Sequence, residues 1–178
     1  MDTIETRLSR VDGAGGTLLY RGIPVEEVAR SGRLQDVLAL LWHDREALGD
    51  EGLGEARTWA AGQLPRVAGA LQARDGMVAL RGAVAQLEDP TDVQTVAAVG
   101  VFGAAWLRGQ AVGPDPALPH GQDLLRMAVD GASEAGGRAF GQYLGVVADH
   151  GTNASTFAAR VVASTGSDSV SAVVAAIG

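Results

Sequence analysis

Three stretches of this chain are apolar on nearly every side of the helix they would form. They are Ala97-Ala98-Val99-Gly100-Val101-Phe102-Gly103-Ala104-Ala105, Ala158-Ala159-Arg160-Val161-Val162-Ala163 (Arg160 apart) and Val173-Val174-Ala175-Ala176-Ile177. A helix without a polar face must be covered all round, and small residues let helix backbones approach closely. A chain of 178 residues has few fully central positions. Two solutions follow: an ordinary Ala-rich core, or burial against another chain in a helix–helix interface. The second is the expectation here.

The surrounding sequence says how those helices are framed. Thr6 to Val11 alternates polar and apolar residues, Asp12-Gly13-Ala14-Gly15-Gly16 turns, and Thr17 to Tyr20 returns. That pattern predicts a β-hairpin within residues 1–22. The glycine cluster lacks the G-x-G-x-x-G spacing and a following helix, so it reads as a turn and not a phosphate loop.

Residues 23–178 read as helical. Pro24, followed by Glu26 and Glu27, opens a short helix that stops near Gly32. Leu34, Val37, Leu38, Leu41 and Trp42 then recur at amphipathic spacing. Helices are expected at about 53–63, 65–73 and 77–87, then from an Asp89-Pro90 cap to about 108. Gly113-Pro114-Asp115-Pro116 marks a loop. Further helices are expected over about 121–130 and 133–147. Asn153 caps one to about 164, and Asp168 caps the last, 169–177. The size suits a single domain, 1–178.

Composition narrows the chemistry. All fourteen basic residues are Arg; there is no Lys and no Cys. That excludes a Walker A loop, a pyridoxal Schiff base, a thiol nucleophile and a thiolate zinc site. A net charge of −7 with dispersed Arg argues against nucleic-acid binding, since no basic stripe displaces counterions. Any catalysis must use His43, His120, His150, carboxylates, Arg or hydroxyls.

Met1-Asp2-Thr3-Ile4-Glu5 has no apolar core, so it is not read as a signal peptide. The longest apolar stretch, Val96 to Leu107, is too short to span a bilayer. The expected location is cytoplasmic, with no membrane partner.

The C-terminal third carries a family signature. Asp149-His150-x-x-Asn153-Ala154-Ser155-Thr156-Phe157-Ala158-Ala159-Arg160-Val161-Val162-Ala163-Ser164-Thr165, then Ser167-Asp168 and Ser171 to Gly178, closely resembles bacterial citrate and 2-methylcitrate synthases. Val11-Asp12-Gly13, Leu19-Tyr20-Arg21-Gly22 and Pro24-Val25-Glu26-Glu27 resemble the family's opening hairpin and first helix. The likeness is weaker between Leu48 and Leu118.

The resemblance implies a mostly α fold, a citrate-synthase-like large-domain helical bundle with an N-terminal β-hairpin and no small domain. It implies an obligate dimer built on antiparallel helices, which the apolar helices at 90–108, 155–164 and 169–177 resemble. The partner would be a second copy or another citrate-synthase-like chain.

The implied reaction is a carbon–carbon condensation. An Asp removes a proton from the acetyl-CoA methyl, and a neutral His polarises the thioester. The enol then attacks oxaloacetate, held by a second His and by Arg residues. No cofactor is implied, and acetyl-CoA is a substrate. By match, the implied substrate-binding residues are His150, the Asp149 before it and the helix cap Asn153. His150 can equally be read as a structural histidine. His43 and His120 have no match and are expected to be solvent-exposed.

The departures are as specific as the match. The family reads His-x-Asp-His-Glu where this chain has Val147-Ala148-Asp149-His150-Gly151. The chain stops at Gly178, before the family's Gly-Pro-Leu-His-Gly segment. No residue matches the catalytic base, so none is assigned a catalytic role. The expectation is a non-catalytic oligomerising or regulatory subunit. The alternatives are half of a two-chain synthase and a fragment of a longer enzyme.

Overall fold

The structure, a computed structural model, describes residues 6–31, 33–42 and 50–178. Ser9–Asp12 (β1) and Thr17–Tyr20 (β2) pair antiparallel, with Ser9 opposite Tyr20 and Asp12 opposite Thr17. Asp12 Oδ1 accepts from the Ala14 and Gly15 amides, which fixes the connecting turn. A short third strand, Ile23–Pro24 (β3), joins the open edge of β2. The sequence pattern had placed Pro24 inside the first helix. It stands instead as the extended residue before Val25–Val28 (α1), with a 3-10 turn over Ala29–Ser31. Tyr20 is fully buried and packs with Val25, Val37 and Leu41, so the hairpin is seated on Leu34–Leu41 (α2).

Asp50–Val67 (α3) is one helix where two were expected. Pro65 falls in its last turn, where it forfeits one backbone hydrogen bond without stopping the helix. A 3-10 turn, Ala70–Gln72, replaces the expected second helix, and Gly76–Val84 (α4) follows. Asp92–Arg108 (α5) starts later than expected, because its cap is Thr91 and not Asp89. Thr91 and Gln94 form a reciprocal capping box. Asp89 lies at φ +43°, outside the extended geometry of an N-cap.

α5 is the axis of the molecule. It packs on α3, on α4 and on His120–Ala128 (α6). Ala97, Ala98, Val101 and Phe102 are all inaccessible to solvent. Burying Val101 and Phe102 contributes about 1.5–3 kcal/mol each. The core-facing side of this apolar helix is thus covered within its own chain, while Val96, Val99 and Gly103 stay half-buried and Leu107 is exposed. α6 packs on Glu134–Val146 (α7), where Gly121 meets Gly141 so closely that an added Cβ would lie 2.5 Å from the Gly141 Cα.

The last two helices behave differently. Ala154–Ser164 (α8) and Ser169–Ile177 (α9) form a hairpin, capped by Asn153 and Asp168 as expected. α9 leans on α4 and the core through Val170, Val173 and Ile177. α8 buries no residue, and Phe157 and Val161 are 50% and 48% exposed. Among the described residues, no helix is long and apolar enough to cross a membrane.

Candidate functional site

The chain between α7 and α8 is a tight turn held from three directions. The Tyr20 hydroxyl donates to the Val146 carbonyl (2.7 Å) and accepts from the Asp149 amide (3.1 Å). Asp149 Oδ1 accepts from the Gly151 amide at 2.9 Å, and the Asn153 amide donates to the Gly151 carbonyl at 3.0 Å. Gly151 lies at φ +82°, in the left-handed region that favours glycine.

Asn153 has two tasks. Its Oδ1 accepts from the Thr156 amide at 2.8 Å, the N-cap bond of α8. Its Nδ2 lies 3.1 Å from both ring nitrogens of His150. His150 itself is exposed. The turn thus presents one imidazole to solvent at the mouth of a helix N-terminus, where anionic groups are favoured. Beside it, a cleft of about 440 Å³ is lined by Arg7, Leu8, Asp149, Thr152, Thr156 and Arg160, among others. An imidazole so placed can hydrogen-bond a carbonyl or carboxylate. Val147 is exposed, and its side chain has no group that can hydrogen-bond a substrate.

His120 is not solvent-exposed, contrary to expectation. It is 3% exposed and belongs to a buried polar cluster. Arg57, on α3, donates from Nε to Asp123 Oδ2 (2.8 Å) and from Nη2 to the Leu118 carbonyl (2.8 Å) and the Asp115 carbonyl (3.0 Å). Its Nη1 lies 3.2 Å from His120 Nδ1. Asp123 also accepts from Arg126 and from the Asp115 amide. Burial and the adjacent Arg57 guanidinium push the His120 pKa down from 6.5 to about 3. Burial also pulls Arg57 below its ordinary value, against the opposing pull of Asp123. The cluster closes the loop before α6 onto α3. Its sequence signal was weak, since Arg57 and His120 stand 63 residues apart.

His43 lies outside the described residues. Among the described residues, no group of three or more His, Asp or Glu is placed to hold a metal ion.

The family model for the citrate synthase C-terminal domain matches residues 1–178. The chain belongs to the citrate synthase family. It is 36% identical to the citrate synthase of Haloferax volcanii, over 98% of this chain and 54% of that protein. It is 33% identical to the 2-methylcitrate synthase of Mycobacterium tuberculosis, over 97% of this chain and 50% of that one. The solved citrate synthase of Thermotoga maritima superposes with a TM-score of 0.85 at 25% identity, covering 99% of this chain and 52% of its own. The chain spans about half the length of the curated relatives it matches. The mostly helical fold with a small N-terminal sheet is therefore a citrate-synthase fold.

Proposed function

We propose that this citrate-synthase-family chain is the large-domain half of a citrate- or 2-methylcitrate-type acyltransferase. It presents His150 to a 2-oxo acid and pairs subunits through the outer faces of α8 and α9. The His150 turn carries this reading. Its backbone groups are tied down by Tyr20, Asp149 and Asn153, and the imidazole is left facing solvent.

In this reaction class an acyl-CoA loses a proton next to its thioester, and the resulting enol attacks the ketone carbon of the 2-oxo acid. The share of His150 is a hydrogen bond to the 2-oxo acid, steadied by Asn153 and favoured by the α8 N-terminus. Acyl-CoA enters as a substrate and not as a resident cofactor. The base that takes the proton, a second substrate histidine and the carboxylate-binding arginines have no counterpart among these residues. The 178-residue polypeptide alone is expected to be inactive, because losing even one such group costs orders of magnitude in rate. Those groups belong on further chain, continuous or separate.

The pairing surface is supported by α8, whose Phe157 and Val161 lie half exposed on a helix that buries nothing. A second reading, a non-catalytic pairing or regulatory subunit, is favoured by Val147 and Gly151, which replace the family's His and Glu.

One experiment separates the two. The chain is expressed alone and with the polypeptide encoded immediately downstream, and CoA release from acetyl-CoA and oxaloacetate is followed. Activity only in the mixture, abolished by His150→Ala, is the expected result. Activity from the 178 residues alone overturns the half-enzyme reading. A stable complex indifferent to His150→Ala supports the second. Phe157→Glu should lower the mass in solution to that of a monomer with the helical spectrum intact.

A further inference from the structure

A phenol in an apolar cluster needs a reason for its hydroxyl. The Tyr20 ring is fully buried among Val25, Val37 and Leu41, where phenylalanine would pack equally well. A hydroxyl in such a place costs free energy unless it is hydrogen-bonded. Both bonds that the Tyr20 hydroxyl makes go to the turn before α8, and none goes to its own hairpin.

Those two bonds bracket the turn. Val146 is the last residue of α7, so its carbonyl is one of the groups a helix end leaves without an internal partner. The Asp149 amide is the first donor of the segment that carries His150. From Asp149 the bonding continues through its carboxylate to the Gly151 amide, and through the Gly151 carbonyl to the Asn153 amide. Asn153 then reaches the His150 ring. The Tyr20 oxygen thus ties down the backbone on the N-terminal side of His150, and Asn153 meets the ring from the C-terminal side.

We propose that Tyr20 is a positioning residue for His150, acting through the backbone of residues 146–149. The consequence for substrate rests on the substrate reading of His150 given above; the positioning itself does not. Burial outweighs the backbone bonds it accepts and raises the phenol pKa above its ordinary value. The proton donated to Val146 is thus retained throughout the physiological range.

The test uses the full 178-residue chain and Tyr20→Phe, which removes the hydroxyl and keeps the ring. Amide exchange at Asp149 should accelerate about tenfold, the effect of losing one hydrogen bond. Exchange at Val101 in α5 should not change. The His150 ring cross-peak in a proton–carbon spectrum should shift and broaden as the turn samples more conformations. Val25→Ala loosens the same cluster without touching the hydroxyl; it should leave the Asp149 and His150 signals in place, which separates positioning from bulk stability.

If Tyr20→Phe does not fold, the native sequence labelled with 3-fluorotyrosine replaces it. The more acidic phenol is a weaker acceptor, so Asp149 exchange should still rise. Wild-type behaviour of Asp149 and His150 in a folded Tyr20→Phe or fluorinated protein overturns the proposal, as does a Val25→Ala protein that reproduces the changes. Oxaloacetate added to the wild type tests the other layer. A His150 signal that ignores it even when the polypeptide encoded immediately downstream is present sinks the substrate reading and leaves the positioning role standing on the exchange data.

Discussion

Replacing Asp123 by Asn keeps the shape of the side chain and removes the charge opposite Arg57. Both side chains are 0% exposed, and the Nε–Oδ2 distance is 2.8 Å. Asp123 also accepts from Arg126 and from the Asp115 amide, so the neutral amide loses acceptor strength on every side at once. Removing one partner of a buried ion pair costs about 3–5 kcal/mol, chiefly because the other charge stays buried. With a urea m-value of about 2 kcal/mol per molar, the unfolding midpoint should fall by about 1.5–2.5 M. The assay is urea unfolding followed by helical circular dichroism, at one fixed protein concentration so that self-association does not shift the midpoint. The control is Asp130→Asn, whose carboxylate meets Arg108 at 3.0 Å but is 96% exposed. An exposed pair contributes little, so that midpoint should not move measurably. The double change Arg57→Met with Asp123→Leu should recover part of the loss. It cannot recover all of it, because the Asp115 and Leu118 carbonyls lose their donor. If Asp123→Asn and Asp130→Asn give the same midpoint, the buried cluster is not holding an otherwise uncompensated charge, and the reasoning fails.

The same cluster gives a pH dependence of fixed sign. Unfolded, His120 takes a proton below about 6.5; folded, it does so only near about 3. Its contribution is therefore complete above 6.5 and is lost as pH falls through that window, by up to about 1.4 kcal/mol per pH unit. Urea midpoints between pH 7.5 and 5 should show this slope, and His120→Gln should flatten it; an unchanged slope refutes the assignment. Gly121→Ala should force α6 from α7, since its Cβ would meet Gly141 backbone at 2.5 Å and 2.7 Å, costing about 1–3 kcal/mol or more. Gly62, inside α3 with nothing within 4 Å, should give the opposite sign on change to Ala, a gain of about 0.5–1 kcal/mol in thermal or urea unfolding.

What could be read from the sequence was what depends on near neighbours. Asn153 and Asp168 are legible as caps because each bonds an amide three residues on. The hairpin is legible because Asp12 and its glycines act within one turn. The N-terminus of α5 was misread because Asp89-Pro90 offers a plausible cap two residues early. Only the backbone angle at Asp89 and the reciprocal bonds of Thr91 and Gln94 decide between them. The apolar surface of α5 was legible as burial, but its cover was not. That depends on how α3, α4 and α6 close around it. In the site, the Asp149–His150–Asn153 turn was visible as a local motif. The Tyr20 hydroxyl was not, because its partners lie 126 and 129 residues away. His120 escaped for the same reason, since its partner is on another helix.

The distance along the chain between Tyr20 and Val146 also sets a clock. At about 5–20 residues per second of synthesis, the hairpin leaves the ribosome about 6–25 s before the turn it is to hold. In that interval Val25, Val37 and Leu41, all close in sequence, can already shelter the ring. The hydroxyl must wait for the whole of α3 through α7 to be made. The His150 turn thus cannot be completed before all of these helices have been made, and a stall anywhere among them leaves it unformed however well the hairpin has folded.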